Sequence, residues 1–446
     1  MNKSYEVLII WWGVSGTALL YTLNKFTNIK SIALIEKYEK PGLVNSKSTN
    51  NSQTLHSGDI ETNYTFEKAK KVKRKADMLK WYLEEVKKNN PGEQFFSVYN
   101  KMILAVGETE VNKLEERWTQ FQTLYPTLKR LKAAQIAEVE PLVMERRNPH
   151  EKVLALSSPE GYTIDYGALS QNFVAETMEN KKDKTIDLMY NTLIEKVTKT
   201  TEGYSVLTSS GEMIDCKVLI VSAGGHTPLI AQSLGYAKNY SILSVAGTFF
   251  KSTKKLLNGK VYTMQMEKLP FAAVHGDPDV YNADETRFGP TAKGIFMLER
   301  YNYKSIWEYF QVFGFRWRAF KIIFQLATDK IIWAFLFKNF WFELPYLGKR
   351  LFMTEIKKII PSIEADDIIP GYKLGGTRPQ ILNLDTMELE MGEAKIIWDK
   401  VIFNITPSPG ATTCLANAYE DVQSVINFFG GEYEFQKDEF EKLYVK

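Results

Sequence analysis

The feature that most limits how this 446-residue chain can fold is its first thirty-six residues. "YEVLII" is a short unbroken apolar run, "GTALLYTLNKF" has apolar residues at helical spacing, and "SIALIEK" is a second apolar run that ends in an acid. Strand, helix and strand in that order predict a βαβ unit. Strands that are apolar throughout, rather than alternating, predict burial on both faces of a parallel sheet. The turn between the first strand and the helix reads Trp11, Trp12, Gly13, Val14, Ser15, Gly16. Set on the GxGxxG fingerprint of a dinucleotide-binding turn, its second and third glycines are present, and Glu36 stands where the fingerprint has its acid.

Each part has a physical job. Gly13 lets the backbone approach a pyrophosphate, and Gly16 lets the helix pack close to the strand. Around Ser15 the helix N-terminus offers N–H groups and a partial positive charge. Glu36 would accept hydrogen bonds from the hydroxyls of an adenosine ribose. Trp11 takes the place of the first glycine, where a Cβ resists the dihedrals of the turn at a cost of roughly 1–3 kcal/mol and the indole needs room near the pyrophosphate. The turn therefore reads as a dinucleotide loop by ancestry, with binding impaired by Trp11 and Trp12.

The rest of the chain narrows the class. A composition 44 % hydrophobic and 24 % charged predicts two or three globular domains, and a net charge of +3 without a basic tail argues against nucleic acid as a partner. Cys216 and Cys414 lie far apart, as in proteins of a reducing compartment, and His56, His150, His226 and His275 lack metal-ligand spacing, so no metal is expected. The opening residues do not read as a signal peptide, and no apolar window is long enough to span a membrane. A helix is predicted from Phe66 to about Lys88, burying Val72, Ala76, Leu79, Leu83 and Val86. Strand patterns return between 185 and 235 and again after 240, and a final helix begins after "ITPSPGA".

Four segments make the nucleotide-binding reading more specific: "NSKSTNNSQTLHSGDIETNY" (45–64), "VLIVSAGGHTP" (218–228), "LPFAAVHGDPDV" with "TRFGPTA" (269–292), and "ITPSPGATTCLANA" (405–418). With these the chain resembles, over nearly its whole length, the malate:quinone oxidoreductase family, FAD-dependent proteins related to the D-amino-acid-oxidase and 2-hydroxyglutarate-oxidase group. The resemblance implies an α/β (α+β) fold, with a Rossmann-like FAD-binding domain and a mixed-sheet substrate domain. It implies a discontinuous FAD domain of 1–90, 150–235 and 360–446, and a substrate domain of 91–149 and 236–359. It also places Ala223 and Gly224 beside the pyrophosphate, Val197 at the adenine, and Ser52, Gln53, Thr54 and His56 along the flavin. Pro409, Gly410, Ala411 and Thr412 would close over the isoalloxazine.

Oxidising a 2-hydroxy acid such as malate to its keto acid needs a base for the hydroxyl proton, a cation for carboxylate and an acceptor for the hydride. FAD is the acceptor. His275 is the expected base because a neutral imidazole takes a proton near pH 7, with His56 as its rival. Arg378 can grip a carboxylate bidentately, and Arg287 is a lesser candidate. Residues 305–350, where Trp307, Trp317, Trp333 and Trp341 alternate with Arg316, Arg318, Lys321, Lys330 and Lys338, suit helices lying in a lipid interface. A membrane quinone is then the electron acceptor, and the location expected is cytoplasmic, peripheral on the inner face of the cell membrane. Two alternatives stay open: a related flavin enzyme acting on 2-hydroxyglutarate or glycerol 3-phosphate, and a flavin-free protein of the same fold that only binds membrane surfaces.

Overall fold

The predicted βαβ unit forms, as β1 (Lys3–Ile10), α1 (Val14–Phe26) and β2 (Ser31–Ile35). The computed structural model describes residues 3–10, 13–265, 273–344, 347–371, 373–390, 394–405 and 409–446, so the expectation attached to Trp11 and Trp12 lies outside the described residues. β1 runs parallel to β2, with Val7 beside Ile32, and parallel to Met213–Val221, with Val7 beside Val218. Thr185–Met189 and Val401–Ile405 extend the parallel core on its two sides. The unbroken apolar run of β1 now has its reason. Val7 and Ile9 enter the core beneath α1 and the helices Tyr166–Glu179 and Cys414–Phe428. Leu8 and Ile10 enter a second core built with the antiparallel strands Ile194–Lys199 and Tyr204–Thr208. Val7, Leu8, Ile9 and Ile10 are thus all fully buried, and each such aliphatic side chain contributes roughly 1.5–3 kcal/mol.

A second eight-stranded sheet runs, edge to edge, Ile369–Pro370, Phe250–Ser252, Thr286–Gly289, His275–Pro278, Lys260–Thr263, Phe96–Val106, Val153–Ile164, Lys129–Leu131. It is antiparallel except where Lys260–Thr263 meets Phe96–Val106. A smaller sheet joins Lys293–Ile295, Tyr240–Ala246, Thr377–Asn383 and Glu388–Glu390. Of the segments expected in the first domain, Val153–Ile164, Ile369–Pro370, Thr377–Asn383 and Glu388–Glu390 pair in these other two sheets. The helix Phe66–Asn89 is capped by the Thr65 side chain and buries all five residues expected on its inner face.

Residues 305–350 form the helices Ser305–Phe313, Trp317–Thr328 and Lys330–Phe342 and the start of Leu347–Ile359. Their aromatic residues divide into two sets. Tyr309 and Phe313 pack in a core with Ile242 and Leu382. Trp317, at 80 % exposure, Trp307 at 71 % and Phe324 at 69 % face solvent, as do Phe320, Trp333, Phe337 and Phe340. Arg318, Lys321, Lys330 and Lys338 are exposed among them, whereas Arg316 is half-buried against the Tyr240 carbonyl at 3.1 Å. Among the described residues no helix is long and apolar enough to cross a membrane.

Candidate active site

The carboxyl ends of β1, β2, Met213–Val221 and Val401–Ile405 feed one cavity of about 1230 Å³, its open mouth included. This is where a parallel α/β sheet has room for a ligand, because the chain leaves adjacent strands in different directions. Gly13, Val14 and Ser15 line it from the start of α1, Glu36 and Lys37 from the end of β2, Ala223 to His226 from the third strand, and Pro409 to Thr412 from the fourth.

At the α1 end the helix has no side-chain cap of its own and no acid in its first turn, which leaves its positive end uncompensated. The Val14 N–H instead donates to Ser46 Oγ at 3.0 Å. A Cβ built on Gly13 would stand 3.3 Å from that same oxygen, so a side chain there would push the Ser46 hydroxyl back by a few tenths of an ångström. Glu36 is buried, and one of its carboxylate oxygens accepts the Tyr38 N–H at 3.0 Å. Beyond it, Glu299 accepts from the Tyr38 hydroxyl at 2.7 Å and pairs with Lys37. Burial opposes its ionisation, but Lys37 and His226 outweigh that and hold the Glu299 carboxyl below its usual range.

At the other end the loop 50–56 runs between the cavity and the second sheet. His56 lines the cavity; its Nδ1–H donates to Glu61 at 2.5 Å and its Nε2 lies 3.2 Å from the Ser52 hydroxyl. This carboxylate–imidazole–hydroxyl row fixes the tautomer and leaves Nε2 as the acceptor. The Thr54 hydroxyl, also on the cavity, donates to the Ser52 carbonyl and accepts from Tyr262 at 2.7 Å and Lys260 at 3.1 Å. Lys260 is fully buried 3.2 Å from Asp277; burial pulls its pKa down while Asp277 opposes the shift. Arg378, on the strand Thr377–Asn383, lines the same end. Its guanidinium has no hydrogen bond or ion pair with any described residue, and burial lowers its pKa from an already high value, so it remains a cation at pH 7.

Thirteen of the residues expected at the site are thus brought to one cavity: Gly13, Ser15, Glu36, Ser52, Thr54, His56, Ala223, Gly224, Arg378, Pro409, Gly410, Ala411 and Thr412. Four are not among its lining residues. Gly16 is buried inside α1, and Val197 is buried in the core against the second face of the sheet. Gln53 turns away from the cavity, its amide donating to Asp279 at 3.1 Å and accepting the Val280 N–H at 3.0 Å. His275 is fully buried behind the loop, its ring stacked on Tyr262 with centroids 4.5 Å apart. Its Nδ1–H donates to the Ala273 carbonyl at 3.1 Å, its Nε2 is buried without a hydrogen-bond partner among the described residues, and burial pushes its pKa down to about 4. Arg287, also buried, donates to the Asn51 carbonyl at 2.9 Å and sits over the Phe249 ring. Sequence reasoning missed Glu61, Ser46 and the Lys37–Glu299 pair. Glu61 follows His56 by five residues in an irregular loop, a spacing with no periodic meaning, and Glu299 lies more than 260 residues from Lys37.

The protein-family model described as malate:quinone oxidoreductase matches residues 3–421 of this chain. A protein of Campylobacter jejuni subsp. jejuni named probable malate:quinone oxidoreductase is 42 % identical over 449 residues, which cover 98 % of each chain. One of Helicobacter pylori, named malate:quinone oxidoreductase, is 38 % identical over 444 residues, covering 98 % of this chain and 97 % of its own. Among solved structures, the dithionite-reduced L-alpha-glycerophosphate oxidase of Mycoplasma pneumoniae with FAD bound aligns over 95 % of both chains, with a TM-score of 0.66 and 16 % identity. Glycine oxidase of Geobacillus kaustophilus aligns over 96 % of this chain and 95 % of its own, with a TM-score of 0.64 and 12 % identity. At those identities the likeness is one of fold, the Rossmann-like α/β fold of FAD-dependent oxidoreductases.

Proposed function

The chain belongs to the malate:quinone oxidoreductase family, and on that premise we propose that the cavity holds FAD and carries out the oxidation of malate to oxaloacetate coupled to quinone reduction. The observation that carries this reading is the coincidence, in one cavity, of a helix N-terminus with no acid in its first turn, a buried acid at the end of β2 and an arginine with no partner among the described residues. The residues present fit the cofactor: Gly13 and the N-terminus of α1 would hold its diphosphate, Glu36 its ribose, and Pro409 to Thr412 with Ser52 and Thr54 the ring system. Bound there, FAD supplies the acceptor for the C2 hydride of malate and the electrons for the quinone.

The chain's own residues would do the rest. Arg378 would anchor a malate carboxylate through paired N–H donors. His56 would take the C2 hydroxyl proton on Nε2, and Glu61 would stabilise the imidazolium that results. His56 is preferred to His275 as the base because it lines the cavity, whereas the His275 ring is walled off by Tyr262 and burial makes it a weak base. The first sheet would carry the cofactor, and the second and third sheets the substrate end.

Purified protein is expected to show flavin absorbance that malate bleaches and an added quinone restores. Bleaching by 2-hydroxyglutarate or glycerol 3-phosphate but not by malate would move the chain to a sibling reaction, and protein without flavin absorbance that gains none on incubation with FAD would leave a surface-binding role. We also propose that Trp11 and Trp12 weaken FAD binding. In the same absorbance titration, a Trp11→Gly, Trp12→Gly chain should hold FAD about tenfold more tightly, the equivalent of about 1.4 kcal/mol of relieved strain. Equal affinity would clear the two tryptophans.

Access to a bilayer-dissolved quinone is assigned here to the exposed aromatic helices, with the inner face of the cell membrane as the surface. Trp317, Phe320 and Phe324 fall on one exposed helical face and Trp333, Phe337 and Phe340 on the next, with Arg318, Lys321, Lys330 and Lys338 positioned to meet anionic headgroups. The protein should float with vesicles containing anionic lipid and much less with neutral ones, and Trp317→Ser with Trp333→Ser should reduce flotation on both. Flotation that ignores lipid charge would discard the electrostatic half of this reading.

A further inference from the structure

Beyond His56 the loop folds back through Gly58, Glu61 and Tyr64, and a side chain from a distant helix closes it. Arg117, on the helix Glu108–Phe121, is 8 % exposed. Its Nη2 donates to the carbonyls of Gly58 at 3.0 Å and Glu61 at 2.9 Å, and its Nη1 to that of Tyr64 at 3.2 Å. The guanidinium carbon lies 3.7 Å from the centroid of the Phe121 ring. Three neutral carbonyls satisfy hydrogen bonds but cannot cancel a buried positive charge. Burial disfavours the charged form of Arg117, and the first of the groups that oppose this shift is Glu61. Glu61 in turn has one oxygen on the His56 imidazole and the other buried with no hydrogen-bond partner among the described residues, so its charge is supported by that imidazole and by the field of Arg117.

We propose that Arg117 is a positioning residue for the proton-accepting pair: its fork shapes the 58–64 turn so that Glu61 meets His56, and its charge sets the basicity of the pair. This rests on the reading of His56 as the base. Arg378 lines the same end of the cavity, where a malate carboxylate would pair with it, which leaves Arg117 as the principal cation behind the pair among the described residues. Lys101 is matched by Asp59 at 2.8 Å. Burial keeps the Tyr125 and Tyr262 hydroxyls protonated, and it keeps His275 neutral. Lys68 also acts on Glu61, but from an exposed position where solvent screens it.

The test is the pH profile of malate-driven flavin bleaching in the FAD-loaded enzyme. Removing a neighbouring positive charge favours protonated imidazole, so Arg117→Met should move the acid limb of the profile to higher pH by about one unit. It should also slow bleaching at least about tenfold, with KM for malate changed less than about twofold. Glu61→Gln removes the negative charge and should move the limb the other way. Arg117→Lys keeps the charge without the fork, so its limb should stay while its rate falls. Should Arg117→Met fail to fold, the lysine variant carries the test, and a wild-type rate there overturns the positioning role. A wild-type limb in a folded Arg117→Met overturns the electrostatic one. His56→Asn separates the two layers: wild-type bleaching in that variant defeats the base itself, whereas an inactive His56→Asn beside an unaltered Arg117→Met defeats only Arg117.

Discussion

Replacing His56 by Asn should leave FAD bound and slow its bleaching by malate by about 10²–10⁴-fold, the range that a positioned general base contributes. Asparagine keeps an amide N–H where Nδ1 donates to Glu61, so the loop should hold its shape while losing the nitrogen that accepts the proton. The rate of the chemical step should therefore fall without a matching rise in KM. Anaerobic stopped-flow at the flavin absorbance band reads this directly, since the quinone half-reaction does not contribute to it. A His56→Asn enzyme that bleaches at the wild-type rate, beside a His275→Asn enzyme that does not, would return the role to His275. The stacked ring of Tyr262 would then have to move to admit substrate.

The second large effect belongs to Arg378. A cavity-facing guanidinium with no hydrogen bond or ion pair among the described residues is the arrangement a substrate carboxylate completes, because the protein has left its donors unspent. Arg378→Met should weaken malate binding by about 10²-fold, corresponding to about 3 kcal/mol, within the cost of removing one partner of a desolvated charge pair. It should not destabilise the fold. Exchanging an unpaired, half-buried cation for an apolar chain of similar length is expected to leave the melting temperature unchanged or slightly raised. Arg378→Lys should recover part of the affinity, since a point charge replaces the cation but not the paired geometry. Malate titrated against the flavin spectrum, with melting followed in parallel, separates the two outcomes. Unchanged affinity would pass the carboxylate to another cation, and a large fall in melting temperature would make Arg378 a structural residue.

Much of the cofactor end was legible before any coordinates. β1, α1 and β2 follow from local periodicity, and the places of Gly13 and Glu36 follow from counting along those elements. Such signals survive folding because strand ends and helix starts are set by neighbours in the chain, and a parallel sheet brings the ends of its strands to one edge. Val197 is buried in a strand of the predicted kind, in a core it shares with Ala223, but is not itself among the residues that line the cavity. Gln53 is also outside the lining, its amide taken up by Asp279 and Val280 on a hairpin more than two hundred residues later.

By itself, then, the sequence determined the class of fold, the family and the edge of the sheet where a dinucleotide belongs, because those depend on the order and spacing of residues close in the chain. The tertiary structure alone decided that His56 lines the cavity and His275 does not, that Glu61 and Arg117 stand behind His56, and that Arg378 has no hydrogen bond or ion pair among the described residues. Those properties depend on distances between remote segments and on how deeply each charge is buried. Burial and pairing set the basicity and affinity of a charged group, and neither quantity is written in the residues beside it.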